Sequence, residues 1–322
     1  MTSAALRAKA RSAGAMLRPF MATHPFLLEV ADGLARLALR VPALERALLM
    51  GARRPVLRRH LRLGAIALGY PRVLGRRELR IAELDGYRFY VNVGESLGVE
   101  PYFFGSTCTV DFTRALIGPG DVCVDAGANA GHYTFFCASV VGPRGRVIAF
   151  EPNPEFAELL ARSVRLNGYG DIVQIEERAL DSVSGEVKRF YVSVSPTNTG
   201  TSSLVNHGCF LSDERTIEVQ TVTFDDFARD AAIGRFRLVK IDVERAEDFV
   251  ISGARRTLAE GRIDFLILEM EAGGVAQKLL LEAGYRGFLI SNGTASIPVG
   301  QVQKDWFGDF LFVRPGLEAP SR

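Results

Sequence analysis

Val124-Asp-Ala-Gly-Ala-Asn-Ala-Gly-His-Tyr-Thr134, followed by Phe150-Glu-Pro-Asn153, decides how this chain reads. Asp121-Val-Cys-Val-Asp125 is a mostly apolar run, as a strand covered on both faces should be. Gly127 and Gly131 then let the backbone turn tightly and approach a ligand without interference from a Cβ. Tyr133 to Val141 is long enough for a helix, and Gly142-Pro143 stops it. Arg146 to Phe150 is a second strand, and it ends in Glu151, 20 residues beyond Gly131. A strand, a glycine turn, a helix and a second strand ending in an acid describe a nucleoside pocket at the carboxyl end of a parallel sheet.

The details of the loop choose between ligands. A dinucleotide fold places glycine in the middle of Gly-x-Gly-x-x-Gly so that pyrophosphate can approach. Asn129 stands at that position, and Asp125 before the turn would repel phosphate. A carboxylate there suits a cationic ligand such as the amino-acid end of S-adenosylmethionine. Glu151 can accept from two ribose hydroxyls, because an ionised carboxylate is acceptor-only. An NAD-dependent oxidoreductase remains the alternative enzyme reading, and it needs glycine at position 129. A scaffold without activity, recruited through the N-terminal arm, is the alternative outside catalysis.

Further along, Leu238 to Asp242 and Phe265 to Glu269 read as buried strands. Asp242, Glu244, Glu247 and Glu269 are expected at the carboxyl edge of the sheet. Crowding there should raise the pKa of at least one of them, which favours a general base. Asp242, Glu244 and Glu269 are the catalytic candidates, with Glu247 able to start its helix. Clustered carboxylates can also hold a divalent metal, but no histidine is placed to help, and no metal is assigned. Lys240 is expected to pair with one of these acids. The polar loop from Ser195 to Asn206 is either a cover for the substrate or a solvated surface loop.

These residues resemble the FkbM-type S-adenosylmethionine-dependent methyltransferases. The resemblance runs from about Asp85 to Val313. It rests on the Val124–Thr134 run, on Ala149-Phe-Glu-Pro-Asn153, and on Val222-Thr-Phe-Asp225. It rests most specifically on Val239-Lys-Ile-Asp-Val-Glu-Arg-Ala-Glu247, with Ser252-Gly-Ala254 and Phe265-Leu-Ile-Leu-Glu269 after it. The chain departs from the family pattern at Arg245, where glycine is usual. Arginine there changes the backbone freedom of the turn and adds a charge beside the pocket.

The resemblance implies an α/β fold: a Rossmann-like seven-stranded methyltransferase sheet, here with a basic helical N-terminal extension. It implies cofactor contacts from Asp125, Gly127, Asn129, Gly131, Thr134, Glu151, Asn153 and Asp242. It implies O-methylation of a hydroxyl on a sugar-containing or secondary metabolite. The expected division is a basic extension over 1–80, a methyltransferase domain over 81–315 and a tail over 316–322. The Asp/Asn-Pro-Pro-aromatic motif of nucleic-acid amino methyltransferases is missing.

Charge separates the extension from the rest. Residues 1–80 hold 16 Lys/Arg against four acids, while the remainder holds 23 against 33, so a basic arm precedes an acidic body. Pro25 to Arg40 has apolar residues at helical spacing, Pro42 breaks or restarts the helix, and Ala43 to Met50 repeats the pattern. Three readings of the arm stay open: a packing appendage, an interfacial helix on anionic lipid, and phosphate contact with nucleic acid. The last is weakest, because aromatic interleaving is missing. No run of 18 uncharged apolar residues suggests a membrane span. Cys108, Cys123, Cys137 and Cys209 show no metal spacing or disulfide framework, which fits a reducing, cytoplasmic setting. His132 either lines the pocket or faces solvent.

Overall fold

The computed structural model describes residues 41–54, 78–105, 108–193, 199–206, 215–291 and 294–319. The helix expected over Pro25 to Arg40, the arginines at 58 and 59, Cys209 and residues 195–198 of the polar loop lie outside them. The chain divides into two compact units. Of the described residues, the first holds 41–54, 78–85, 90–105 and Thr199, and the second holds 86–89, 108–193 and everything from Gly200 onward.

In the first unit, α1 (Pro42–Arg53) starts on a proline at its first turn, where a missing N–H costs nothing. Glu45 anchors it by accepting from the Tyr102 hydroxyl at 2.6 Å and from Arg80 Nε at 3.1 Å. Leu44, Leu48 and Met50 are exposed. The hairpin expected at Asp85-Gly86 is present: β1 (Leu79–Leu84) and β2 (Tyr87–Asn92) flank Gly86 at φ +90°. No described helix is long and apolar enough to cross a membrane.

The second unit is built on a large, mostly parallel sheet. After α2 (Cys108–Thr113) come β3 (Val122–Ala126), α3 (His132–Val141), β4 (Arg146–Phe150), α4 (Pro154–Asn167) and β5 (Val173–Glu176). The chain then forms β6 (Ala179–Leu180), β7 (Val187–Val192) and β8 (Arg215–Val222), which make a separate three-stranded sheet in the order β6-β8-β7. It returns through α5 (Phe224–Asp230), β9 (Phe236–Ile241), α6 (Glu247–Ser252), α7 (Arg255–Ala259), β10 (Ile263–Glu271) and α8 (Val275–Glu282). It ends with β11 (Arg286–Ser291), β12 (Thr294–Pro298) and β13 (Phe307–Val313).

The main sheet runs β12-β11-β13-β10-β9-β3-β4-β5. Seven strands were expected; β12 adds an eighth at the edge. The antiparallel closing pair read from the sequence is β11 with β13. From β3 the chain steps outward to β4 and β5, then crosses to β9 on the other side of β3. That reversal is the topological switch point, and the crevice for a ligand lies above the carboxyl ends of β3 and β9.

One large core cluster packs helices α5 to α8 on this sheet. Phe224, Val250, Leu258 and Leu280 from α5 to α8 pack there against Val124, Ile148, Leu266, Leu268, Phe310 and Phe312. Burying each of the large side chains contributes about 1.5–3 kcal/mol. Cys123 and Cys137 are buried free thiols, as expected. The acid after the Val222-Thr-Phe run, Asp225, would be expected to cap the helix that follows it, and it does not. Thr223, not Asp225, caps α5 by accepting from Asp226 N at 3.1 Å. Asp225 lies inside α5 and accepts from the N–H groups of Arg256 and Thr257, so it caps α7 instead. A carboxylate one residue past the strand turn reaches across to a neighbouring helix more easily than back to its own.

Candidate active site

The first loop is held by its own backbone. Gly127 (φ +81°) and Gly131 (φ +93°) take up left-handed conformations, which glycine reaches without strain. Their missing side chains make room for protein. A Cβ on Gly127 would stand 1.9 Å from the carbonyl oxygen of Asp242, and one on Gly131 would stand 2.4 Å from the Phe135 ring. The two glycines thus let β3 and β9 close on each other and let α3 dock. Asn129 between them is also left-handed, at φ +50°, a conformation asparagine tolerates better than most residues.

Glu151 is the organising acid of this loop. It is buried, and its two oxygens accept from Asn129 N at 2.8 Å and Asn153 N at 2.9 Å. Burial pushes its pKa up to about 7, and the two N–H groups hold it back from rising further. Each oxygen keeps a lone pair for a hydroxyl. Asn153 itself is committed to the protein: its side chain accepts from Glu155 N and caps α4. Thr134 is likewise committed, donating to Asp125 Oδ2 at 2.6 Å.

Lys240 joins the two halves of the site. β3 and β9 pair with Asp125 opposite Lys240. Lys240 Nζ lies 3.1 Å from Asp242 Oδ2, 3.5 Å from Asp125 Oδ1 and 5.6 Å from the Tyr133 ring centre. At 3.5 Å the Asp125 contact is an ion pair without a hydrogen bond, so that oxygen is buried with a charge beside it and no donor. Burial works against the lysine charge, but Asp242 and Asp125 outweigh it and hold Lys240 protonated. The sequence foresaw one partner for this lysine; it has two.

Asp242, Glu244 and Glu269 converge as expected, each with a carboxylate oxygen within 4.8 Å of the others. Their protonation differs. Burial would raise Asp242, but Lys240 and a hydrogen bond from Glu269 bring it below its ordinary value. Burial and the Asp242 charge push Glu269 up to about 9. The pair therefore carries one proton through neutrality, on Glu269. Burial and Asp242 also raise Glu244, to about 7. The fourth acid, Glu247, accepts from Val243 N at 3.1 Å at the start of α6, and burial with the Asp242 charge raises it to about 7 as well. Glu244 (φ +55°) and Arg245 (φ +74°) are both left-handed without being glycine, a strain that concentrates at functional sites.

Three features extend what the sequence offered: an acid it did not single out, a histidine it left open between pocket and solvent, and a serine of the polar loop. Asp309 faces Glu269 across the β10–β13 register and raises it further; its only signal was an acid alternating inside an apolar strand. His132 stacks on Phe89 at 5.4 Å and is lowered to about 4 by burial and Lys240, so it is neutral. Ser203, within the polar loop, donates to Val243 O at 3.1 Å, next to Asp242 in sequence.

The donor set fits an adenosyl sulfonium. Glu151 presents anchored acceptors of the kind ribose hydroxyls need, and the surrounding acids suit a cation. Pyrophosphate does not fit, because Lys240 is already engaged by two carboxylates.

The chain has relatives among known methyltransferases. The chain is 28% identical over 200 residues to the hexuronic acid methyltransferase AglP of Haloferax volcanii, covering 61% of this chain and 76% of that one. It is 29% identical over 189 residues to the 31-O-demethyl-FK506 methyltransferase FkbM of Streptomyces tacrolimicus, covering 51% and 70%. Among solved structures, Aeropyrum pernix fibrillarin with bound S-adenosyl-L-methionine aligns with 15% identity and a TM-score of 0.37, over 64% of this chain and 73% of that one. The family model described as the methyltransferase FkbM domain matches residues 125–286, half of the chain and the whole stretch from Asp125 to β11. The chain belongs to the FkbM family of S-adenosylmethionine-dependent methyltransferases.

Proposed function

We propose that this methyltransferase acts on a hydroxyl of a sugar-containing acceptor, with Glu244 taking the hydroxyl proton. The observation that carries the chemistry is the Glu244 carboxylate. It sits on the crowded edge with no hydrogen bond or ion pair among the described residues, and with a pKa of about 7. A base poised near the working pH combines the right protonation state with useful basicity. The name of the Haloferax relative, a hexuronic acid methyltransferase, supports the sugar half of the reading. That of the Streptomyces relative, which acts on an O-demethyl compound, supports transfer to oxygen.

S-adenosylmethionine supplies a methyl group on a sulfonium: the carbon–sulfur bond breaks as a carbon–oxygen bond forms, the electron pair stays on sulfur, and one proton is released. The chain's residues divide the remaining work. Glu151 holds the ribose hydroxyls, with Asn129 and Asn153 orienting it. Asp125 and Thr134 act at one remove, fixing Lys240, which in turn keeps Asp242 ionised. Glu269 donates to Asp242 and holds that carboxylate still. Glu244 accepts the proton from the acceptor hydroxyl. In this reading a metal has no assigned step, and turnover should survive a chelator.

The test is transfer from methyl-labelled S-adenosylmethionine to a panel of pyranosides and uronic acids, read by mass spectrometry. Label on a sugar oxygen is expected. Label on nitrogen, or in nucleic acid, would sink the reading.

A further inference from the structure

One apolar group at the carboxyl edge has no part in the chemistry so far. β10 and β13 pair antiparallel, with Glu269 opposite Asp309 and Glu271 opposite Phe307. Residues directly opposite share a face, and so do residues two apart on one strand. Glu269, Asp309 and Phe307 are therefore on one face, and Asp242 joins them through its hydrogen bond with Glu269. A row of three acids runs from Asp242, just past the end of β9, over Glu269 on β10 to Asp309 on β13, and Phe307 stands one rung further out, 45% exposed.

A single exposed phenylalanine is unremarkable in itself. This one is held in place. Ala272 N donates to Trp306 O at 2.8 Å, and Asp305 N donates back to Ala272 O at 3.0 Å. Asp305 takes φ +67° to make the corner. The corner is thus tied to the end of β10, and the ring beside the acids is presented rather than loose.

A fixed aromatic face next to carboxylates has a definite chemical complement. Carboxylates accept from hydroxyls around the edge of a ring. The negative face of an aromatic ring favours polarised C–H groups. A pyranose carries both, hydroxyls at its edge and C–H bonds on its face. We propose that Phe307 is the specificity-determining platform of the acceptor subsite, stacking on the sugar ring while Asp309 and the Asp242–Glu269 pair hold its hydroxyls. This rests on the sugar-acceptor reading and adds the residues that select the acceptor.

The chain contains one tryptophan, Trp306. Its indole nitrogen lies 3.4 Å from where a Cβ on Gly308, the residue between Phe307 and Asp309, would stand. Its emission should therefore report occupancy of the subsite. The full chain would be titrated with methyl β-glucopyranoside and methyl β-glucuronide, and labelled-methyl transfer to the same probes followed. Saturable change in emission is expected. Phe307→Ala and Phe307→Leu should raise KM for the pyranoside about tenfold or more while kcat stays within about twofold. Phe307→Tyr should restore it, and calorimetry should show unchanged S-adenosylmethionine affinity in all three.

Equal KM in the wild type and Phe307→Ala, with label still reaching the sugar, would overturn the subsite and leave the sugar reading standing. No binding or methylation of any pyranoside by the wild-type chain would overturn both.

Discussion

The two ends of β10 carry acids with opposite fates. Near the amino end, Asp264 is 2% exposed and is met by Arg235 at 2.8 Å, Arg314 at 3.0 Å and Arg237 at 3.2 Å. Burial would raise its pKa, but the three guanidinium groups pull it below the ordinary carboxylate range. Near the carboxyl end, Glu269 meets Asp242, Glu244 and Asp309, with Lys240 the cation near it among the described residues, and it rises to about 9. Desolvation raises both acids, the buried Asp264 and the half-buried Glu269, so the partners decide the outcome. An acid matched by cations holds a fold together, whereas an acid crowded by acids is kept available for proton chemistry.

The sharpest way to break this comparison is at Glu244. Glu244→Gln removes the proposed base while keeping its shape, and kcat should fall about 100- to 10,000-fold. S-adenosylmethionine affinity, measured by calorimetry, should stay unchanged. In the wild type, activity should rise with pH through about 7 as Glu244 and the ribose-binding Glu151 lose their protons, and the part of that limb carried by kcat at saturating S-adenosylmethionine should vanish in the variant. An unchanged limb would remove Glu244 from the mechanism.

Asp264→Asn tests the opposite end. It leaves three arginines around a neutral side chain, and breaking a buried pair in this way costs about 3 kcal/mol or somewhat more. Arg235 is mostly exposed, so solvent screens it and Arg237 and Arg314 carry most of the loss. Because the folded pKa is depressed, the Asp264 contribution is present above the unfolded value and disappears as pH falls through the folded one. The denaturant midpoint should therefore drop at pH 7, and the gap to wild type should narrow in acid. A kcat loss with unchanged stability would contradict the division between the two ends.

These two ends were not equally legible. The loop from Val124 to Thr134 was readable because its information is local: a buried strand, turn glycines and a helix, all within a dozen residues. The convergence of Asp242, Glu244 and Glu269 followed from strands ending at one edge. The Asp264 cluster was not readable, since Arg235, Arg237 and Arg314 come from two strand ends brought together only by the register. Asp309 and Phe307 were hidden for the same reason, as antiparallel pairing with β10 leaves no local mark. The glycines were identified correctly as turn residues, but what crowds them, the Asp242 backbone and Phe135, lies far away in sequence.

Glu269→Gln should have a smaller effect. At neutral pH the protonated acid is already an uncharged donor to Asp242, and the amide can donate in its place. Turnover at pH 7 should stay within about threefold, well short of losing a base. The folded pKa is raised, so the native state keeps a proton that the unfolded chain releases above its ordinary value. Wild-type stability should therefore decline as pH rises toward about 9, and the variant should decline less. A wild type and variant with the same alkaline slope would show that Glu269 does not hold the proton.

The smallest effect is expected at Arg245, and it is the most diagnostic of strain kept for function. A non-glycine residue in the left-handed region costs about 1–2 kcal/mol. Glycine would relieve that, but it loses about 0.5–1 kcal/mol more backbone entropy on folding. Arg245→Gly should thus gain less than about 1 kcal/mol, a rise in Tm of a few degrees at most. The same change removes a positive charge that lowers the Glu244 pKa, so the acidic limb of activity should move upward from about 7 and neutral-pH turnover should fall. A variant that is slightly more stable and slightly slower at neutral pH would place the strain in service of the base. A lower Tm would mean that the Arg245 side chain supports the turn by a contact that outweighs its backbone strain.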